Sequence, residues 1–153
     1  MRNQKQIQLA QLDQKIKPFR GTQKVMPPKD GWIKTIRTTL NMTLEQLGKR
    51  LNITKQSVRK IEARELAGTV SLKALDEIGK AMEMKFVYGF VPKDGTVKNL
   101  IDVKAHQLAT EIVMRTHQNM LLENQANTVT RIKHAIEELA EELRREVNRS
   151  IWD

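Results

Sequence analysis

Apolar positions along this chain recur at helical spacing in a series of separate blocks. Leu9, Leu12, Ile16 and Phe19 follow heptad-like intervals and predict an amphipathic helix over residues 3–19. Trp32, Ile33, Ile36 and Leu40 form the inner face of a helix running from Asp30 or Gly31 to about Asn41. Leu44, Leu47 and Leu51 stripe a short helix that Thr43 opens as a hydroxyl N-cap. Asn52 and Ile53 interrupt it, and Thr54 caps a second helix over Lys55 to Ala63 whose inward residues are Val58 and Ile61. Gly48 supplies the small residue that a close approach of these two helices needs. Ala67 to Val70 read as a loop, after which Ser71 caps a helix with Leu72, Leu75, Ile78, Gly79 and Met82 facing inward.

The period then changes. In residues 85–92, Phe86, Tyr88 and Phe90 alternate with Val87, Gly89 and Val91, which predicts a short β-strand ended by Pro92. A lone strand leaves its backbone unpaired. It either pairs with the same strand of a second copy, making Phe86, Tyr88 and Phe90 dimerisation residues, or lies as an extended tail on its own core. Helical spacing returns with Val97, Ile101, Ala105, Leu108 and Ile112, and again with Val129, Ile132, Ile136, Leu139, Leu143 and Val147. These are two long helices with a break expected at residues 123–127. Their stripes either bury each other or form a dimer seam or partner surface.

Four regions follow from this pattern. Residues 1–27 are an amphipathic helix and a Pro- and Gly-containing arm, 28–84 a small helical domain, 85–95 the strand and a turn, and 96–153 the long helices. The arm, continuing through the stretch KPFRGTQKVMPPKDGW, carries Lys17, Arg20, Lys24 and Lys29, and reads equally as a solvated linker or as a basic segment lying along DNA.

Composition sharpens the picture in one respect. The net charge of +9 over 153 residues is not spread evenly. Residues 1–66 hold fifteen Lys or Arg against five Asp or Glu, and residues 67–153 hold twelve against thirteen. The positive excess lies on and before the two capped helices, as expected of a surface that neutralises phosphates. No cysteine is present, which removes disulfides and thiolate metal sites. No signal peptide and no membrane-length apolar run can be read, so a cytoplasmic protein is expected.

Two capped helices around a tight turn make a helix-turn-helix, whose second helix reads the major groove from its N-terminal end. That end carries Lys55, Gln56, Arg59 and Lys60. Gln suits adenine, and Lys suits guanine or phosphate. Lys34 and Arg50 are phosphate-side candidates. Residues 37–62 resemble the Cro/repressor (Xre) class of DNA-binding domain, in which five short helices surround the helix-turn-helix. The resemblance implies a structural ion pair between Arg37 and Glu62. It also implies DNA contacts by Thr54, Lys55, Gln56 and Lys60, and a phosphate contact by the Thr43 cap.

Nothing in the sequence argues for catalysis or a cofactor. His106, His117 and His134 lack metal-ligand spacing, and there is no phosphate loop, nucleophile elbow or paired-carboxylate constellation. The chain from about residue 9 to 125 also resembles the mobile mystery protein A family. The resemblance rests on the PP-x-x-GW motif, the capped helix-turn-helix, VSLKAL, FVYGFVP and the ending HQNMLLENQ. It implies a regulator encoded beside a Fic-domain protein, with an antitoxin-like or operon-repressor role and direct binding of the Fic partner. Some Fic enzymes are restrained by a helix bearing Ser or Thr, three residues, Glu, then Gly or Asn. Here Asn119 stands in the hydroxyl position before Glu123 and Asn124. The sequence thus predicts a mainly α chain: a Cro/repressor-like five-helix domain, one short strand and a C-terminal pair of long helices. Its expected partners are double-stranded DNA, a second copy, and a Fic protein bound through the C-terminal helices.

Overall fold

The computed structural model describes residues 2–121 and 126–153. Seven α-helices occur among them: α1 Arg2–Ile16, α2 Trp32–Thr39, α3 Leu44–Leu51, α4 Lys55–Ala67, α5 Leu72–Ala81, α6 Val97–Leu121 and α7 Ala126–Glu146. Short 3-10 segments cover Lys17–Lys24 and Arg149–Trp152. Contacts group the chain into two compact units, Thr22–Gly89, and Met1–Gly21 with Phe90–Asp153.

Unit Thr22–Gly89 holds α2 to α5 around Ile33, Leu47, Val58, Ile78 and Met82, with Ile36, Leu44, Leu51, Ile61 and Leu75 packed partly buried against them. Three of its four helices start where hydroxyl residues fall. Thr43 Oγ1 accepts the Gln46 N–H at 3.0 Å while Gln46 Oε1 accepts the Thr43 N–H at 2.8 Å, a reciprocal capping box. Thr54 and Ser71 cap α4 and α5 by a single bond each, receiving the N–H of Ser57 and of Ala74 at 3.1 Å. Asn52 in the left-handed region ends α3 and Gly68 ends α4.

The expected strand over residues 85–92 is absent: no strand occurs among the described residues. A strand is a ladder, and this segment has nothing within the chain to ladder with. It turns back instead onto the end of α5, where the Met84 N–H reaches the Gly79 carbonyl at 2.7 Å. A side chain at Gly79 would meet the Met84 oxygen at 3.2 Å and the Phe86 nitrogen at 3.4 Å. The unit contains four α-helices, α2 to α5, and not the five that the Cro/repressor resemblance implies.

Three apolar residues of this unit expected inside lie out. Trp32 is 44% exposed, Leu40 47% and Leu72 52%. Trp32 and Leu72 are the first residues of their helices and Leu40 follows the last residue of α2, so each sits beyond the stripe that the middle of its helix buries. The expected helix over 3–19 ends at Ile16, and α4 runs four residues past Ala63.

In the other unit α6 and α7 bury their stripes against each other. Ile101, Ala105, Ala109, Val113, Ile132, Ile136, Ala140, Leu143 and Ile151 form the core. Ala105, Ala109 and Ala140 are fully buried, which lets the backbones come close. Ile112 and Val129, read as stripe residues, are 39% and 45% exposed; Ala109 and Val113 carry the stripe in place of Ile112. α1 joins through polar ties: Asp13 accepts the N–H of Val97 at 2.8 Å and of Lys98 at 3.2 Å, capping α6, and the Gln6 amide donates to the carbonyls of Arg144 and Arg145. Asn119, Glu123 and Asn124, and the break at 123–127, lie outside the residues whose side chains or placement are described.

Candidate nucleic-acid interface

The candidate interface is built on α4. Thr54 holds its first turn, and Lys55, Gln56, Arg59 and Lys60 are all exposed in its first six residues. Gln56 and Lys60 are four apart, as are Lys55 and Arg59, so each pair shares a face of the helix. No acidic residue stands in the first turn. The helix dipole adds partial positive charge at the same end, which favours an approaching phosphate.

The opposite side of α4 is buried or engaged. Val58 is 1% exposed, and Glu62 is buried against Arg37, whose Nε donates to Glu62 Oε1 at 2.6 Å. Arg37 Nη2 lies 3.4 Å from Glu62 Oε2, and Nη1 donates to the Met42 carbonyl at 3.0 Å. This pair joins α2 to α4 and engages the Glu62 carboxylate with Arg37. Thr43, Lys34 and Thr54 are exposed.

Arg50 is half-exposed with one of its nitrogens engaged. Its Nη1 donates to the Ala81 carbonyl at 3.2 Å and lies 3.9 Å from Glu83, at the C-terminal end of α5. The Thr54 hydroxyl is also engaged, accepting from the Ser57 N–H and donating to Ser57 Oγ at 3.0 Å.

Two neighbours escaped the sequence reading. Lys49 lines a shallow depression with Glu45, Ile53, Thr54 and Lys55, between α3 and the start of α4. Its place one turn after Glu45 and beside the turn is visible in the sequence. Glu65 accepts the backbone N–H of Trp32 at 2.6 Å and of Ile33 at 2.8 Å, a contact across more than thirty residues that no local pattern announces.

Residues 33–88 match the family model described as helix-turn-helix. The chain therefore carries a helix-turn-helix domain of the Xre/Cro type, a DNA-binding module, spanning α2 to α5 and the segment behind them. Comparison with curated proteins found no match, and neither did comparison with solved structures. Among the described residues no group of His, Asp or Glu is arranged to hold a metal ion, and no helix is long and apolar enough to cross a membrane.

Within this domain the division of labour is physical. The capping hydroxyls and the Arg37–Glu62 pair fix α3 and α4, and the cations of α4 and Gln56 are left exposed. Phosphate contacts supply affinity in any sequence; base-edge hydrogen bonds supply the choice between sequences.

Proposed function

We propose that this chain is a sequence-specific transcriptional regulator that represses its own operon as a homodimer, with Lys55, Gln56, Arg59 and Lys60 in the major groove and Thr43 and Lys34 on phosphates. The observation that carries the reading is the exposed cluster on the first six residues of α4, on a helix start that is capped and free of acid. The test is a gel shift on DNA upstream of the chain's own gene, across a salt series and against a scrambled duplex. Selective binding that falls steeply with salt is expected. Equal binding to both duplexes would remove the sequence-specific reading.

Dimerisation is supported by the segment behind α5. Tyr88 is 65% exposed and Phe90 88%, and the Phe86 and Tyr88 rings stack at 5.9 Å. Exposed aromatics of this kind are costly to leave in water. Sedimentation of the wild type beside Tyr88→Ala and Phe90→Ala tests it: a dimer that the variants weaken is expected, and a wild-type monomer refutes it.

The antitoxin-like reading, in which the C-terminal helices restrain a Fic protein, ranks second. The apolar stripes of α6 and α7 are spent on each other, which leaves less surface for a partner. Co-purification of the full chain with the neighbouring Fic protein tests that contact.

A further inference from the structure

α4 is held to α2 by two carboxylates one turn apart. Glu62 takes the Arg37 guanidinium, and Glu65 takes the first two N–H groups of α2. α2 has no cap of its own, because its N-cap is Gly31, at φ 85° and ψ 162°, with no side chain to offer. A Cβ at Gly31 would stand 3.1 Å from the Glu65 carboxylate, so the glycine also clears the space that the carboxylate fills. Glu65 thus does from α4 what an Asp at position 31 would do locally.

The apolar hold on α4 is narrow by comparison. Val58 is its one fully buried apolar side chain, and Ile61 is half-buried. A helix resting mainly on one buried side chain can rock about it. Two charge-assisted clamps at its far end remove that freedom, since each fixes direction as well as distance.

We propose that Glu65 is a positioning residue for DNA reading. By carrying the N-terminus of α2 on its carboxylate it sets the tilt and rotation of α4, and so the aim of Gln56 and Lys60. The inference rests on the reading that the start of α4 enters the groove. Glu65 lies nine residues from Gln56, roughly 14 Å along the helix axis, so it does not share the base that Gln56 meets. Its influence passes through the rigid helix. A small rotation at the clamped end displaces the reading end, and a side-chain pair to a base edge tolerates little displacement.

The experiment uses the full chain and two duplexes, one enriched by the wild type from a random-sequence pool and one scrambled from it. Glu65→Gln keeps the side-chain volume but sets an amide NH2 against one of the two N–H donors. It is expected to bind the enriched duplex about tenfold more weakly, the size of one lost base contact. Affinity for the scrambled duplex and its salt slope should stay as in the wild type, because the phosphate-facing cations are untouched. A merely structural role would lower both affinities together.

Trp32→Pro provides the second arm. It deletes the N–H that Glu65 Oε2 accepts, at the first helical position, where proline is favoured. The Gly31 ψ of 162° lies close to what a residue before proline adopts. Trp32→Ala, which keeps the N–H and loses the ring, is its control. Trp32→Pro should reproduce the selective loss, Trp32→Ala should not, and the Glu65→Gln/Trp32→Pro double variant should lose no more than the worse single one.

Unchanged binding of the enriched duplex by Glu65→Gln overturns the proposal, as does an equal loss on both duplexes or an additive double variant. If Glu65→Gln does not fold, the comparison of Trp32→Pro with Trp32→Ala decides the matter alone. If the wild type enriches no duplex from the pool, the sequence-specific reading itself fails, and the inference with it.

Discussion

Arg37 and Glu62 meet in a buried ion pair 2.6 Å long, each side chain only 9% exposed, between α2, which opens the helix-turn-helix domain, and α4. Taking two charges out of water is expensive, and their attraction recovers the cost only while both are present. Glu62→Gln or Arg37→Met alone should therefore cost about 3–5 kcal/mol, because each leaves an uncompensated buried partner. The double replacement Arg37→Met/Glu62→Leu should recover most of that loss. Urea unfolding of the three variants measures it, and a double variant as unstable as the worse single one would show that the pair is not the source.

Gly48 of α3 lies against the turn and the first residue of α4, the close approach for which the sequence calls for a small residue. A Cβ there would stand 2.7 Å from the Ile53 carbonyl oxygen, and that oxygen belongs to backbone that has no flexible end to give. The Ile53 N–H in turn reaches the Gly48 carbonyl at 2.8 Å. Gly48→Ala should cost about 1–3 kcal/mol, as overpacking does, despite alanine's better helix propensity. A melting temperature that rises would mean the turn relaxes at no cost.

How far these features could be read in advance depends on how local their causes are. The caps at Thr43, Thr54 and Ser71 were legible because a hydroxyl at the head of a helical run acts within three residues of itself. The exposed face of α4 was legible because Val58 fixes which side is buried. The strand was not, since β-forming residues state only a preference and the ladder partner must come from elsewhere. Remote caps were equally hidden. Asp13 and Glu65 each look like ordinary helix-surface acids, and only the folded chain brings them to the starts of α6 and α2. Arg50 shows the reverse case: a cation in the right stretch that folding turned toward the end of α5.

Glu83 closes α5 in the left-handed region at φ 56°, a conformation that glycine adopts without the clash a Cβ meets. Its side chain is 85% exposed and its ion pair with Arg50 is 3.9 Å long, so little is lost with it. Glu83→Gly should raise stability by about 0.5–1 kcal/mol. Thermal unfolding checks this, and a lower melting temperature would show that the Arg50 contact outweighs the relieved strain.

Affinity and specificity should separate among the exposed residues of α4 and its neighbour Lys49. Gln56→Ala removes a side chain whose two-sided amide suits adenine, so it should cost about 1–3 kcal/mol on the preferred site and relax the choice at one base pair. Lys49→Ala removes a cation beside the start of α4, in the depression shared with Thr54 and Lys55. It should weaken binding to every sequence alike and lower the slope of log affinity against log salt by about 1. Titrating both variants on preferred and scrambled duplexes at three salt concentrations separates the effects. If Gln56→Ala changed only the slope while Lys49→Ala changed only the sequence preference, the assignment of base-reading and phosphate-facing sides on this domain would be reversed. The groove would then be read from the α3 side of the turn.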